Sequence, residues 1–324
     1  MKKNIAIIMG GYSSEYTISI ESGKAVYNEL NKSKFNCYKI LILKDRWVYV
    51  DNKNYEHNIN KDFFTLKLSN KVIQFDCVFN AIHGSPGEDG EIQEYLSKLQ
   101  IPFTGSGLFQ SKITYDKIEC LRYLKKHNIK SANSVSLNLE DKIDLNQIVN
   151  KVGLPCFVKA SKSGSSYGIT KVYKLTEFDQ ALKVAFKEDE NILIESFLDG
   201  IEVSVGVISY QNKIICLPIT EIISNNDFFD YEAKYNGQSS EITPARISEE
   251  MKSKLLTESL KIFQILSLKG LTRSEFIFKD GIPYLLEVNT VPGLTNKSIL
   301  PQQVKLAGIS LNDLYENLIN EALN

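Results

Sequence analysis

Short apolar runs separated by amphipathic stretches dominate the first hundred residues of the chain. Three of these runs have the length and composition of buried strands: 5–9, 37–43 and 75–82. Helical spacing of apolar residues follows the first run at 18–30 and recurs at 91–99. Because strands alternate with helices here, we expect residues 1–107 to form an α/β domain around an open, mostly parallel sheet.

The middle of the chain carries a mixture of strand and helix patterns. Apolar runs predict strands at 156–160, 169–173 and 191–195. Amphipathic spacing predicts helices near 112–126 and 177–187. This mixture predicts a small central α+β domain covering residues 108–196.

From about residue 197 onward, the pattern of apolar and polar residues is typical of an antiparallel sheet. Four strands are expected there: 201–208, 213–220, 271–278 and 284–289. A long polar loop is expected at 224–246, and a helix at 249–268 is expected to end at Gly270. We therefore expect a C-terminal antiparallel-sheet domain at 197–324, which makes three α/β domains in all.

The composition excludes several classes of protein. Hydrophobic residues make up 43% and charged residues 24%, which is ordinary for a globular protein with a core. The 38 basic and 39 acidic side chains nearly cancel, so we expect no nucleic-acid partner and no membrane partner. Five scattered cysteines indicate reduced thiols, and no apolar stretch reaches the roughly 18 residues of a membrane span. These features predict a cytoplasmic protein.

The last two expected strands carry four polar residues in an otherwise apolar setting. Arg273 and Glu275 are two residues apart, as are Glu287 and Asn289, so each pair shares one face of its strand. Two carboxylates, an amide oxygen and a guanidinium on one face would form an oxygen-rich site suited to Mg²⁺. The other interpretation is a solvated sheet face with a surface ion pair, and the spacing alone does not decide between them.

The turn between these two strands determines whether the four residues meet. A two-residue loop, Asp280-Gly281, would place the two carboxylates on opposite faces. A three-residue loop, Lys279-Asp280-Gly281, pairs residue 278 with 282 and puts all four polar residues together. Glycine at the third loop position favours the longer loop, so the sequence predicts that register.

A Ser- and Gly-rich loop, Lys159-Ala-Ser-Lys-Ser-Gly-Ser-Ser-Tyr-Gly168, lies between two expected strands. Backbone N–H groups, hydroxyls and a lysine are the groups that a phosphate cradle needs. The P-loop spacing Gly-x-x-x-x-Gly-Lys-Ser/Thr occurs neither here nor elsewhere in the chain. A flexible hairpin is the other interpretation of this composition.

The first strand runs into Gly10-Gly-Tyr-Ser-Ser-Glu15 and then into a helix. A strand, a glycine turn and a helix start make a geometry that accepts anions. The segment lacks the third glycine of a dinucleotide fingerprint. Glu15 also has a simpler interpretation, as a favourable charge at the start of the helix dipole.

His83 ends the third expected strand, within Ala-Ile-His-Gly-Ser-Pro-Gly-Glu-Asp-Gly90. Ligands of open α/β sheets bind at the carboxyl ends of the strands, which makes His83 a candidate for substrate binding. A lone histidine at such a position is more often a structural residue, so both interpretations stay open.

Taken in order, these segments resemble the D-alanine–D-alanine ligase family, and the likeness spans nearly the whole chain. Further strings that carry it are Gly153-Leu-Pro-Cys-Phe-Val-Lys159, Phe229-Asp-Tyr-Glu-Ala-Lys-Tyr235 and Leu286-Glu-Val-Asn-Thr-Val-Pro-Gly293. The resemblance implies an ATP-grasp fold that grips the nucleotide between its central and C-terminal domains. It also implies ATP-dependent ligation of two D-alanines through a D-alanyl phosphate, a role in peptidoglycan synthesis, and a homodimer.

The resemblance implies a nucleotide-binding role for residues of the central and C-terminal domains. Lys117 and Lys159 would contact phosphates, Glu195 and Leu198 would hold the adenine, and Glu202 would hold the ribose. Three more residues would belong to loops that order and close the site: Ser165, Ser166 and Lys234.

The resemblance assigns the metal and amino-acid sites as well. Two Mg²⁺ ions, with Mn²⁺ as a substitute, would be held by Glu275, Glu287 and Asn289. Glu15 would take the ammonium of the first D-alanine, and Arg273 would face the reacting carboxyl. The remaining implied residues are Tyr235 in the closing loop and three that line the substrate sites, His83, Gly293 and Ser298.

The chain departs from the family pattern at three of these positions. Glu275 replaces an aspartate, and its longer side chain puts the metal position in doubt. Tyr167 replaces a small aliphatic residue, and Ala160 replaces a proline. None of the three changes removes a charge that the chemistry needs.

Three rival functions are weighed against this one. Ligases that join D-alanine to D-lactate replace the Lys234-Tyr235 pair, which is intact here, whereas D-serine adds only a hydroxyl that a small pocket discriminates weakly. A non-catalytic ATP-grasp protein should have lost Arg273, Glu287 or Asn289. A dinucleotide oxidoreductase would need the glycine fingerprint that is absent.

Overall fold

A seven-stranded sheet forms the first part of the structure. The computed structural model describes residues 2–51, 53–165, 167–224 and 239–324. The strands of the first sheet are β1 (Lys3–Gly10), β2 (Phe35–Ile42), β3 (Trp47–Val50), β4 (Glu56–Asn60), β5 (Thr65–Leu68), β6 (Lys71–Gln74) and β7 (Cys77–Asn80). Two helices accompany them, α1 (Tyr16–Glu29) and α2 (Glu91–Lys98).

The order of this sheet is β6-β5-β4-β3-β2-β1-β7. Strands β7, β1 and β2 are parallel, and these are the three strands that the apolar runs predicted. Strands β3 to β6 are antiparallel neighbours that extend the sheet and that the sequence pattern did not indicate. Strand β1, which lies between β2 and β7, is buried from Ile5 to Ile8, because both faces of the sheet are covered there.

A four-stranded antiparallel sheet with the order β10-β9-β11-β8 forms the middle of the structure. The elements of this part are α3 (Leu108–Tyr115), α4 (Lys117–Lys125), β8 (Ser134–Asn138), α5 (Leu145–Val152), β9 (Cys156–Ala160), β10 (Ile169–Val172), a 3₁₀ turn (Leu175–Glu177), α6 (Phe178–Phe186) and β11 (Asn191–Ser196). The three strands expected from the sequence are therefore present, as is the expected helix near 177–187.

The single helix expected at 112–126 is wrong, because the structure has two helices that meet at Asp116. The backbone of Asp116 is extended (φ −89°, ψ 102°), so it cannot continue α3. Its carboxylate instead accepts the N–H of Glu119 at 3.1 Å and caps the start of α4. The break places Lys117 at the first turn of a new helix.

The last part of the structure is an antiparallel sheet with the order β15-β14-β12-β16-β17, in which β13 also pairs with β12. Its elements are β12 (Ile201–Tyr210), β13 (Lys213–Cys216), β14 (Thr220–Ser224), β15 (Ser239–Ile242), α7 (Glu249–Ile265), β16 (Leu271–Lys279), β17 (Ile282–Asn289), α8 (Ile299–Leu306) and α9 (Leu311–Leu323). The expected strand at 213–220 is two strands. The expected loop at 224–246 contains β15, which pairs with β14.

One hydrophobic core joins the first and last parts of the chain. Ile7 and Phe79 of the first sheet share it with Leu314 and Tyr315 of α9. The Tyr315 ring meets Phe79 edge to face with 5.5 Å between centroids, and its hydroxyl donates to the carbonyl of Leu294 at 3.3 Å. The helix at the C-terminal end thus fixes the first sheet against the last one. The domain boundaries at 107 and 196 stay a prediction.

Replacing Tyr315 by alanine should lower the free energy of unfolding by about 3–5 kcal/mol, because a fully buried ring leaves a cavity in this shared core. Tyr315→Phe, which loses only the hydroxyl bond, should lower it by about 1 kcal/mol. Urea titration followed by circular dichroism measures both values.

Tyr55→Ala is the control for this prediction, since Tyr55 is 65% exposed and its replacement should change the free energy of unfolding by no more than about 0.5 kcal/mol. A Tyr315→Ala protein as stable as the Tyr55→Ala protein would show that the shared core does not hold the two parts together.

Within the described ranges, no helix is both long and apolar enough to span a lipid bilayer.

Candidate functional site

The hairpin of β16 and β17 brings the four polar residues of the last strand pair together. Arg273 lies opposite Asn289, and Glu275 lies opposite Glu287 in the strand register. Nη2 of Arg273 is 2.8 Å from Oε1 of Glu275, and Nδ2 of Asn289 donates to Oε1 of Glu287 at 3.4 Å. The prediction that these four side chains share one face is confirmed.

The prediction of a three-residue turn between the two strands is wrong. The turn has two residues, Asp280 and Gly281, with φ of 51° and 76°, and it pairs Lys279 with Ile282. A β-bulge at Leu286 then shifts the register by one residue and returns both carboxylates to the same face. The glycine serves a tight turn in which both central residues need positive φ, rather than a longer loop.

The opposite face of the hairpin is apolar. Phe276, Leu285 and Val288 lie in a hydrophobic core that also contains Leu255 and Phe263 of α7. Because the core holds this face, the four polar residues are directed away from it, and three of them line a cavity.

The ammonium of Lys117 lies against the hairpin. Its Nζ is 3.2 Å from Oε2 of Glu287 and donates to the carbonyl of Ser163 at 2.5 Å. Burial lowers the pKa of Lys117, but the charge of Glu287, reinforced by Glu15 and Glu275, outweighs burial and raises the pKa above its usual value. The lysine therefore stays charged beside the carboxylate and links the hairpin to the Ser- and Gly-rich loop.

Glu15 is buried between the first helix and the Ser- and Gly-rich loop. The hydroxyl of Ser165 donates to Oε1 of Glu15 at 2.6 Å. A Cβ on Gly164 would overlap the Glu15 carboxylate, so a larger residue there would require that carboxylate to move. Ser165 itself has a φ of 50°. The loop thus contacts the first part of the chain, which agrees with an ordered cradle rather than with a free hairpin.

His83 is buried at the end of β7 and is held by two serines of α1. Its backbone N–H donates to Oγ of Ser19 at 2.8 Å, and its Nε2 is 2.8 Å from Oγ of Ser22. Burial lowers the pKa of His83 to about 4, and the positive charge of Arg273 acts in the same direction, against a backbone hydrogen bond to Val291. The ring is therefore neutral at physiological pH.

A cavity of about 410 Å³ collects these groups at one place. Glu15, His83, Arg273, Glu287 and Ser298 are among the residues that line it. Gly293 lines it as well, and a Cβ there would come within 2.7 Å of Oγ of Ser298. Acidic, basic and hydroxyl groups thus surround a space large enough for small polar substrates.

Two family models match most of the chain. A model described as D-ala D-ala ligase N-terminus matches residues 4–106, and one described as D-ala D-ala ligase C-terminus matches residues 124–320. The chain belongs to the D-alanine–D-alanine ligase family. Its relatives include D-alanine–D-alanine ligases of Flavobacterium johnsoniae, 54% identical over 99% of both chains, and of Christiangramia forsetii, 53% identical over 100% of this chain and 99% of the relative.

Solved structures of the family share the whole architecture. The VanG D-Ala:D-Ser ligase from Enterococcus faecalis is similar with a TM-score of 0.86 and 29% identity, over 99% of both chains. The D-alanine–D-alanine ligase from Bacillus anthracis complexed with ATP is similar with a TM-score of 0.79 and 28% identity, over 99% of this chain and 97% of that one. The fold expected from the sequence, a mixed α/β fold of the ATP-grasp type, is confirmed.

The positions that family resemblance assigns to the nucleotide lie on the central sheet and at its junction with the last sheet. Lys159 on β9 and Glu195 on β11 are both buried, and Nζ of Lys159 donates to Oε1 of Glu195. Leu198 follows β11, and Glu202 lies on β12 opposite Ile277. Within the described ranges, none of the four lines the cavity around Glu15 and Arg273. Their roles stay predictions.

Three residues assigned from the sequence lie outside the described residues: Ser166, Lys234 and Tyr235. The motif Phe229–Tyr235 lies outside them as well.

The sequence analysis missed residues of the site, among them Glu88 and Ser22. Glu88 lines the cavity and accepts backbone N–H groups from Gly84 and Val291, and Ser22 contacts the His83 ring. Glu88 stands within the quoted string His83–Gly90, so a signal existed. Ser22 had no such sequence signal, because its partners are distant in sequence.

Proposed function

We propose that this chain joins two D-alanine molecules into D-alanyl-D-alanine, while ATP is converted to ADP and phosphate. The observation that carries the proposal is the convergence of Glu15, Arg273, Glu287 and Ser298 on one cavity, with the ammonium of Lys117 beside it. Full-length relatives named D-alanine–D-alanine ligase support the same reaction.

The reaction needs two kinds of charge stabilisation. A carboxylate is a poor electrophile, so an oxygen of the first D-alanine attacks the γ-phosphorus of ATP and ADP leaves, which gives D-alanyl phosphate. The amine of the second D-alanine then attacks the acyl carbon, loses a proton, and phosphate leaves with the electron pair of the broken bond. The first step needs cations at the phosphates, and the second needs donors at the acyl oxygen.

Lys117 and Lys159 are the cations that we assign to the phosphates. Each is buried and paired with a carboxylate, Lys117 with Glu287 and Lys159 with Glu195, so each is held in place by the protein. Glu195 also fits the adenine end of the nucleotide together with two residues at the junction of the central and last sheets, Leu198 and Glu202.

The hairpin fits the divalent metal that the family uses. Within the described part of the chain, no group of three or more His, Cys, Asp or Glu side chains could hold a metal ion by itself. Mg²⁺ is commonly held by one or two carboxylates with substrate phosphates and water, and Glu275, Glu287 and Asn289 supply such a set. We propose that they hold two Mg²⁺ ions, or Mn²⁺, which when bound neutralise the charge on the transferred phosphoryl group.

Glu15 and Arg273 are the residues that we assign to the amino acids. The buried carboxylate of Glu15 suits the ammonium of the first D-alanine, and the hydroxyl of Ser165 orients that carboxylate at 2.6 Å. The guanidinium of Arg273 suits the oxyanion of the second step, where one donor is worth roughly 3–4 kcal/mol. Gly293 and Ser298 are assigned to the second D-alanine.

Exclusion of water protects the acyl phosphate from hydrolysis, and closing loops commonly provide it. We assign this role to the segment that contains Lys234 and Tyr235, with Ser166 in the loop that it would meet.

We also propose a homodimer and domain boundaries at 107 and 196. Since ATP is the energy source, we propose a cytoplasmic reaction. The dipeptide would supply peptidoglycan synthesis.

Incubation of the protein with ATP, Mg²⁺ and D-alanine should yield one ADP and one D-alanyl-D-alanine per turnover, measured by a coupled ADP assay and mass spectrometry. D-Serine and D-lactate, each added at equal concentration, should give minor products. L-Alanine is the control and should give neither ADP nor dipeptide. A dominant mixed product in either competition would overturn the assignment of the second substrate, and ADP release without dipeptide would overturn the ligase function.

A further inference from the structure

The segment Val291–Leu294 connects the metal-site hairpin to the second amino-acid site. It follows Asn289 closely at the end of β17, it contains Gly293, and it precedes Ser298 at the start of α8. Val291, Pro292 and Gly293 all line the 410 Å³ cavity. The segment has no regular secondary structure, so something other than a helix or strand ladder must fix its backbone.

Two side chains from the first part of the chain bind the backbone of this segment, and His83 lies beside them. The N–H of Val291 donates to Oε1 of Glu88 at 3.2 Å, and the backbone of Val291 lies close enough to the His83 ring to raise its pKa. The N–H of Leu294 donates to Oγ of Ser22 at 3.2 Å. Ser22 in turn lies 2.8 Å from Nε2 of His83, so the three side chains form one connected group.

A neutral His83 satisfies every bond of this group. The backbone of Val291 raises the pKa of the ring, but burial outweighs it and keeps the ring neutral. In the tautomer whose Nε2 carries no proton, Nε2 accepts the hydroxyl proton of Ser22, and Oγ of Ser22 stays available for the N–H of Leu294. This tautomer is assigned from the network, and it engages Nε2 with Ser22 rather than with a substrate.

The group is buried, which makes its bonds hard to replace by water. Ser22 is fully buried, and His83 and Glu88 are 5% and 9% exposed. The second carboxylate oxygen of Glu88 accepts the N–H of Gly84 at 2.7 Å, which ties the loop after β7 to the same point. Loss of one partner would leave a buried donor unsatisfied, so the segment would move rather than stay in place.

We propose that Ser22, His83 and Glu88 are positioning residues that fix the backbone of Val291–Leu294 and thereby set the second D-alanine subsite. The inference deepens the proposed function and rests on it. It gives His83 the role of holding the subsite rather than of contacting a substrate. The first part of the chain thus builds a pocket wall that belongs, in sequence, to the last part.

Ser22→Ala and Ser19→Ala form a matched pair of variants that tests this. Both serines are fully buried on α1 and both contact His83, but within the described residues only Ser22 contacts Leu294. Ser22→Ala should raise the KM of the second D-alanine roughly five- to tenfold, with the KM of ATP and of the first D-alanine changed by less than about twofold. Ser19→Ala should leave the KM of the second D-alanine within about twofold of the wild type.

Hydrogen–deuterium exchange of the free protein, with no substrate added, gives a second readout. The amide of Leu294 should exchange roughly five- to tenfold faster in Ser22→Ala than in Ser19→Ala. Glu88→Gln keeps the volume but places an NH₂ against one of the two N–H donors, so the loop amides Gly84 and Val291 should exchange faster by a similar factor.

The outcomes separate the positioning role of these residues from the proposed ligase function. Equal exchange at Leu294 in both serine variants overturns the positioning role, whatever the activity. A KM change that appears equally for all three substrates overturns it as well, because it indicates a general structural defect. A wild-type protein that makes no dipeptide overturns the proposed function, and the exchange experiment then still decides whether Ser22 and Glu88 hold the segment.

Discussion

Glu287→Gln is expected to lower D-alanine-dependent ADP release by roughly a thousandfold while the protein stays folded. Glu287 lies opposite Glu275 in the strand register, beside Asn289, and 3.2 Å from the ammonium of Lys117. Glutamine keeps the shape of the side chain but removes the charge that a divalent metal and the lysine both require. The loss should appear in kcat, because the charge of Glu287 matters most in the transition state of phosphoryl transfer, when negative charge moves onto the departing ADP.

The measurement is a coupled ADP assay with saturating ATP, Mg²⁺ and D-alanine, together with a thermal melt. Glu221→Gln is a matched control, since Glu221 is a carboxylate on β14 of the same sheet that binds the exposed Arg246 at 2.9 and 3.0 Å. It should keep near-normal kcat. Near-normal ADP release by folded Glu287→Gln would remove the metal assignment from the hairpin.

The stability of Glu287→Gln also carries information. The variant leaves Lys117, which is almost fully buried, bound to the carbonyl of Ser163 but without the charge of Glu287. Uncompensated buried charge is destabilising, so the melting temperature should fall even though the volume is unchanged. The lysine can relieve the loss by releasing its proton, and its raised pKa should then move downward.

The sequence predicted the central elements well, because buried strands and long amphipathic helices leave periodic apolar patterns. It failed for β3 to β6, because strands of four or five residues are too short to establish a period. In β4, β5 and β6, exposed positions weaken the apolar signal further. The break between α3 and α4 had a usable signal. Asp116 followed three residues later by Glu119 is a helix-start pattern, but the continuous apolar spacing concealed it.

The site shows where sequence reasoning stops. The shared face of the two strands was predicted through a three-residue loop, whereas the structure reaches it through a tight turn and a bulge at Leu286. The two mechanisms put the same carboxylates together, but no residue type marks a bulge of this kind. Likewise, the bonds from Ser22 and Glu88 to Leu294 and Val291 are made to backbone atoms about 200 residues or more away, which have no sequence signature.

Arg273→Lys should lower kcat by roughly two to three orders of magnitude with a small change in the KM of ATP. The side chain of Arg273 is 17% exposed, its Nη2 is 2.8 Å from Oε1 of Glu275, and it lines the substrate cavity. A guanidinium can bind that carboxylate and still present further N–H donors to an acyl oxygen. Lysine keeps the charge but is more compact, so it can satisfy Glu275 or reach the substrate, and the second step loses its donor.

Arg246→Lys is the control, because Arg246 is also an arginine paired with a glutamate, Glu221, but it is mostly exposed and lies outside the cavity. Rapid-quench kinetics then identify the affected step. If Arg273 acts on the oxyanion of the condensation, Arg273→Lys should still show a first turnover of ADP formation, followed by slow dipeptide release. A uniform slowing of both steps would instead assign Arg273 to the phosphoryl transfer, and a kcat within about threefold of the wild type would exclude it from catalysis.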